Sequence, residues 1–218
     1  MKKPILLIMC RSPRVGTNKT RLAKEIGIVK AWKIYRGMLT SIAMRLGHSN
    51  IWKTILFVSP KRDVKKSRQW PLNQHEPRYQ GQTSIGLRMT KGLTQVARGT
   101  PVILIGSDIP GIDQRIIQKA FYCLKSTDIV LGPSTDGGFW LIGFANRRSI
   151  NKPFRDVRWS HKNTLTDTLK NLKYYKVSLT TLMKDIDTKK DYDSFKNNSL
   201  IENILNQQSK HSQSKNHK

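Results

Sequence analysis

The chain predicts an α/β fold with a mostly parallel central sheet and helices on both of its faces. Apolar runs of strand length recur at "PILLIMC", "IWKTILFVS", "PVILIGS", "DIVLGP", "FWLIGFA" and "YYKVSL". Between them lie segments whose apolar residues fall at three- and four-residue intervals, the period of a helix with one buried face. Strands that alternate with helices imply right-handed crossovers and hence a sheet covered on both sides.

The first run follows two lysines in "MKKPILLIMC", a pattern that invites a signal-peptide reading. Its apolar part is too short for such a segment and no small-residue cleavage site precedes Cys10, so it reads as a buried strand. Trp32, Tyr35, Leu39, Ile42, Ala43 and Leu46 then mark a helix, and "IWKTILFVS" the second strand. Pro60 to Thr83 is polar and irregular and reads as a loop or lid. Leu87, Leu93, Val96 and Ala97 repeat the helical spacing before "PVILIGS". Asp113 is placed to cap a helix carrying Ile116, Ile117, Ala120, Phe121 and Leu124. Near the end, Thr188 with Asp191 three residues later forms a capping-box start.

With 218 residues the chain suits one domain, residues 1–206, followed by a polar, basic tail over 207–218 whose composition reads as disordered. Hydrophobic residues make up 37%, concentrated in the patterned segments. Forty Lys and Arg against 14 Asp and Glu give a net charge of +26, which would attract any polyanion. The charges are spread along the whole chain, however, with no RNP-type motif, zinc finger or basic heptad, so a solvated surface is favoured over nucleic-acid binding. No run is long enough to span a bilayer. Cys10 and Cys123 lie apart without metal-type spacing, which points to reduced core thiols and a cytoplasmic setting.

Ligands of such a sheet bind beyond the carboxyl ends of the strands. After the first run comes "RSPRVGTNKTRLA", where Gly16 allows close backbone approach to an anion and Lys19, Thr20 and Arg21 stand at a helix start. The spacing is not that of a Walker A loop. After the third run comes Asp108. A strand-end aspartate is equally a cap or turn residue, yet opposite a cationic loop it suits holding Mg²⁺ or Mn²⁺ against phosphates. Asp187, beside Asp185 in "DIDTKKDY", would supply a second metal carboxylate from far along the chain. Asp136, Gly137 and Gly138 form a strong turn signal. The same glycines leave a surface for a sugar or base, with Asp136 available to accept from hydroxyls.

"SPRVGTNKTRLA", "GLRM", "LIGSDIPGI", "VLGPSTDGGFWLIG", "VRWS" and "DIDTKKDY", in this order, resemble the DUF2064 family, which is related to GT-A glycosyltransferases and nucleotidyltransferases. The resemblance covers about Met1 to Phe195. It implies a Rossmann-like GT-A nucleotide-diphospho-sugar transferase fold and a metal-dependent glycosyltransferase using a nucleotide-sugar donor and an unknown acceptor. Nucleotidyl transfer from a nucleoside triphosphate on the same fold, or a basic nucleic-acid-binding scaffold, are the alternatives. It implies Asp108 and Asp187 as metal ligands, with Gly16, Lys19 and Arg21 facing the nucleotide phosphates. Gly137, Gly138, Arg158 and Trp159 make up the candidate substrate-binding set. Asp136 is the candidate base for an acceptor hydroxyl, with His161 as runner-up, and Asp108 joins Asp136 in the catalytic set. Leu87 and Thr135 stand where the family usually has acidic residues, and Lys189 where it has proline.

Overall fold

In the computed structural model, which describes residues 2–65, 76–96, 99–146 and 149–196, the first apolar run becomes strand β1 (Ile5–Arg11). Its side chains divide between two cores by strand alternation. Leu6, Ile8 and Cys10 pack on one face of the sheet with Ile34, Met38 and Ile42, and Leu7 packs on the other with Met89, Leu93 and Ile142. β1 sits inside the sheet, parallel to β2 (Lys53–Ser59) on one side and to β4 (Val102–Ile105) on the other. This is why Ile5 to Cys10 are apolar without interruption.

All six expected strands are present, completed by β5 (Ile129–Pro133), β6 (Phe139–Phe144) and β7 (Val177–Leu179). Together with β3 (Glu76–Tyr79), the described strands form one seven-stranded sheet in the order β3-β2-β1-β4-β6-β5-β7. β6 alone runs antiparallel to its neighbours β4 and β5. It does so because β5 returns through the short Ser134 to Gly138 turn, too short for a crossover.

The seventh strand corrects the reading of Pro60 to Thr83 as a loop. β3 (Glu76–Tyr79) pairs parallel with β2 at the sheet edge. "EPRY" has no apolar alternation, so its extended form comes from the free edge of β2, helped by the Lys53 to Glu76 ion pair at 2.7 Å.

One layer of helices contains α1 (Thr20–Ile26), α2 (Ile28–Gly47) and α4 (Gln114–Cys123). Gly27 separates the first two, and Asp113 caps α4 as expected, accepting from Ile116 N–H at 2.9 Å. The opposite layer contains α3 (Ile85–Thr90), prolonged by a π-helical turn over Lys91–Val96, and α5 (Thr164–Asn171). The register of α3 differs from the expected one. Leu87 is exposed, while Gly86, Met89 and Leu93 face inward. Gly92 lets the π turn approach the sheet, since a Cβ there would lie 2.9 Å from Leu7 Cδ1. The side chain of Val96, and Ala97, fall outside the described residues, as does the tail over 207–218. No helix among the described residues is long and apolar enough to cross a membrane. Cys10 is buried and its thiol pushed up to about 12 by that burial, the state of an inert core thiol.

α6 (Lys189–Lys196) begins with the expected box. The Asp191 carboxylate accepts from Thr188 N–H at 2.9 Å, and Asp191 N–H donates to the Thr188 hydroxyl at 3.2 Å.

Candidate active site at the carboxyl edge of the sheet

The loop that leaves β1 is held from several sides. Trp32 Nε1 of α2 donates to Pro13 O at 2.7 Å, and the buried Asn18 side chain donates to Ser12 O at 2.8 Å. Arg14 pairs with the buried Asp63 just past β2. Burial works to raise the Asp63 carboxyl, and hydrogen bonds from Arg14 and Ser12 outweigh it and hold the group below the usual carboxylate range. A group depressed in this way stabilises the fold above its unfolded value and loses that contribution as pH falls through the folded value. Asp63→Asn is therefore expected to cost about 1–2 kcal/mol at pH 7, discounted for the part-exposed Arg14. The gap from wild type should close below about pH 4. Urea unfolding at pH 7, 5 and 3 measures it, and a gap that stays constant would show that the ion pair is not its source.

This scaffold aims Lys19. It precedes α1 with φ 52° and ψ 47°, a left-handed conformation that costs a non-glycine residue about 1–2 kcal/mol. The strain turns its side chain inward, where it is only 6% exposed. There the ammonium meets Asp108 Oδ2 at 2.8 Å and Asp187 Oδ1 at 3.6 Å. Burial opposes the charge, but the Asp108 carboxylate, with Asp187 and Asp185 behind it, more than offsets this and raises Lys19 above its ordinary value. Arg21, exposed on α1, reaches Asp187 Oδ2 at 3.2 Å.

Asp108 arrives from the end of β4, and Asp187 from the segment before α6. The backbone brings them together, since Ile186 N–H donates to Asp108 O at 3.4 Å. The same segment runs along β5, with Met183 N–H donating to Pro133 O at 3.1 Å and Thr135 N–H to Met183 O at 3.1 Å. Asp185 is thereby held among like charges. Burial first and the Asp108 charge second push its carboxyl up to about 6, with Asp136 adding and Lys19 opposing.

These groups edge a cleft of about 490 Å³. Thr17, Asn18, Lys19, Thr20, Arg21, Ser107, Asp108 and Asp187 line it, together with Arg11, Gln80, Arg88, Met89 and Phe139. Of the expected phosphate-facing set, Lys19, Thr20 and Arg21 are wall residues, while Gly16 stands on the exposed approach to them with φ 76°. Asp136 lies in the adjoining β5–β6 turn, exposed, accepting from Gly138 N–H at 2.8 Å. Gly137 takes φ 86° and packs against the backbone of Lys162. Arg158 is turned to α5, with Nε and Nη2 each 2.8 Å from the Asp167 carboxylate. Trp159 sits behind the wall, in edge contact with Phe139 at 6.4 Å between centroids. His161 is exposed, its Nδ1 accepting from Asn163 N–H at 3.2 Å. The structure thus gathers Lys19, Arg21, Asp108 and Asp187 in one place, keeps Asp136 beside them and leaves Arg158, Trp159 and His161 apart.

Sequence reasoning passed over Tyr35, Gln80 and Arg88. Tyr35 falls in the apolar stripe of α2, yet its hydroxyl donates to Arg11 O at 2.9 Å, accepts from Arg11 N–H at 3.0 Å and lies 3.3 Å from Ser107 Oγ. A lone polar tip within a helical stripe is the only signal such a residue leaves.

No set of three or more His, Cys, Asp or Glu side chains among the described residues converges as a metal site. The fit to a divalent cation rests on the pair Asp108 and Asp187, two hard oxygen donors already sharing one positive charge.

Residues 42–161, more than half of the chain, match the family described as "Uncharacterized protein conserved in bacteria (DUF2064)". The chain belongs to the DUF2064 family. No curated protein matches this DUF2064 chain. Among solved structures it is similar to a Desulfovibrio desulfuricans protein carrying the name nucleotide-diphospho-sugar transferase, at 27% identity and TM-score 0.86, with 96% of each chain covered. A cytidylyltransferase from Leptospira borgpetersenii follows at 14% identity and TM-score 0.59, covering 98% of this chain and 96% of that one. Rv0371c of Mycobacterium tuberculosis, solved as a complex with manganese, matches at 14% identity and TM-score 0.50, covering 88% of this chain and 97% of that one. The fold of this DUF2064 protein is that of the nucleotide-diphospho-sugar transferases and cytidylyltransferases.

Proposed function

We propose that this DUF2064 protein is a metal-dependent transferase acting on a nucleotide-activated donor, with glycosyl transfer from a nucleotide sugar as the leading reading. The observation that carries it is the meeting of Lys19 and Arg21 with Asp108 and Asp187 at the carboxyl edge of parallel strands. The likeness to the Desulfovibrio protein, over nearly the whole of both chains, supports the donor class. Nucleotidyl transfer is the second reading, favoured by the cytidylyltransferase that shares the fold.

Asp108 and Asp187 would hold Mg²⁺ or Mn²⁺, which when bound supplies charge to neutralise a diphosphate leaving group. Lys19 and Arg21 add fixed positive charge on the same side. Lys19 is already desolvated, so its charge is stronger towards a bound phosphate than a surface lysine's would be. Asp136 stands with one oxygen engaged by Gly138 N–H and the other free to take a proton from an acceptor hydroxyl. The Lys162 backbone closes off Gly137 and Gly138 is buried, so the two glycines shape the turn that carries Asp136 and do not offer the open face expected for a sugar or base.

Thermal unfolding with UDP- and GDP-sugars, and with CTP and UTP, each with Mg²⁺, with Mn²⁺ and with EDTA, tests this reading. A ligand at about one hundred times its Kd adds about 2.7 kcal/mol, or roughly 5–10 °C for a chain of this size. A rise is expected for one diphospho-sugar and only when the cation is present. A rise with triphosphates alone would select nucleotidyl transfer, and equal shifts in EDTA would remove the metal from the reading.

A further inference from the structure

Two cationic side chains of the cleft take no part in the Lys19 cluster. Arg11 closes β1 and Arg88 lies on α3, in the "GLRM" motif to which the proposed chemistry assigns no role. Neither has a carboxylate partner among the described residues. Arg88 is half-buried and its Nε, sealed from solvent, has no hydrogen-bond partner. A buried guanidinium N–H without an acceptor is costly, so the fold holds Arg88 at this wall against a penalty.

The position of Arg88 is built. Gln80 is buried, and its side-chain amide donates to Cys10 O at 2.9 Å and also to Phe57 O. With its nitrogen fixed between two strands, Gln80 presents Oε1 to Arg88 Nη1 at 3.0 Å. Arg11 is fixed in turn at its backbone, whose N–H and C=O both bind the Tyr35 hydroxyl. Burial first, and the like charge of Arg11 second, lower the Arg88 guanidinium from its ordinary value, as expected for two cations that share a space with no counter-ion. Met89, Leu104 and Phe139 add apolar wall beside them.

We infer that Arg11 and Arg88 form a second oxyanion site in the cleft, one that holds a carboxylate or phosphate carried by the acceptor while Lys19 and Arg21 hold the donor's diphosphate. The inference rests on the transferase reading above and adds to it the acceptor's chemical class, a small anionic hydroxy compound. The guanidinium group of arginine meets such an anion with charge-assisted hydrogen bonds from its terminal nitrogens.

Glucose 1-phosphate, glucuronate and neutral glucose are titrated calorimetrically onto the full chain, alone and saturated with UDP and Mg²⁺. Wild type, Arg11→Gln, Arg88→Gln and Arg88→Lys are compared, with UDP affinity measured for each variant in parallel. At least one charged hexose should bind about tenfold or more tighter than glucose and remain bound alongside UDP. That preference should fall about tenfold or more in both glutamine variants, further than UDP affinity falls, and Arg88→Lys should recover only part of it. The relative strength of the phosphate and carboxylate arms names the group. Equal binding of charged and neutral hexoses overturns the inference. So does displacement of the charged hexose by UDP, or loss of UDP affinity by the same factor. Arg11 is exposed, so its variant keeps the test valid if Arg88→Gln fails to fold. Charged-hexose binding that depends on both arginines in a chain that binds no nucleotide would uphold the anion site and remove the transferase reading instead.

Discussion

Gly137→Ala is expected to lower the stability of this protein by about 3 kcal/mol or more, roughly 6–12 °C in Tm. Two costs add. Gly137 has φ 86°, a conformation that strains any residue with a Cβ by about 1 kcal/mol or more. That Cβ would also lie 2.1 Å from Lys162 O and 2.6 Å from its carbonyl carbon, atoms of a backbone that cannot rotate away. Leu165 N–H donates to Gly137 O at 2.9 Å, so the start of α5 would be pushed off with it. Gly138→Ala is the matched control. The atoms nearest its Cβ would be those of the Asp136 carboxylate, at 3.1 Å, the end of an exposed side chain that can turn aside, and its φ is not in the left-handed range. Guanidinium unfolding of the two variants, side by side, checks the argument, and equal losses would refute the backbone clash. Because the turn also carries Asp136, any activity found for the wild type should fall in Gly137→Ala before the fold is lost.

Asp108→Asn is expected to act twice. It should weaken cation-dependent nucleotide binding by about a hundredfold or more, at or beyond the loss seen when a metal ligand's supporting partner is removed. It should also cost about 1–2 kcal/mol of stability, because Lys19 is 6% exposed and would keep Asp187, at 3.6 Å, as its remaining ion-pair partner. The half-exposed position of Asp108 keeps the second cost below that of a fully buried pair. Lys19→Met in the Asp108→Asn background separates the two effects. Removing the stranded ammonium should restore most of the stability without restoring cation binding. Calorimetry with Mn²⁺ and circular dichroism read them independently. Unchanged Mn²⁺ affinity in a folded Asp108→Asn protein would remove Asp108 from the ligand set.

Much of the site is legible in the chain because strand ends are legible. "VILIGSD" announces a buried strand and places a carboxylate just past it, and the capping box of Thr188 and Asp191 marks where α6 starts, leaving Asp187 just ahead of it. What could not be read is which charged residues turn towards one another. Lys19, Arg21 and Arg158 look alike as isolated cations. Only the left-handed turn at Lys19 buries the first against Asp108, while the pull of Asp167 holds the third on α5.

Local pattern determined the six apolar strands, most of the helices, the cap at Asp113 and the edge of the sheet at which a ligand would sit, because each follows from side-chain period and backbone preference over a few residues. Tertiary structure alone decided the rest. β3 is a strand because β2 offers it an unpaired edge, and α3 widens into a π turn because Gly92 presses on Leu7. Gln80 orients Arg88 only because β1 and β2 lie side by side to hold its amide. Each of these depends on groups distant in the chain meeting away from water, where an unpaired charge or polar atom is costly, and no local pattern records that meeting.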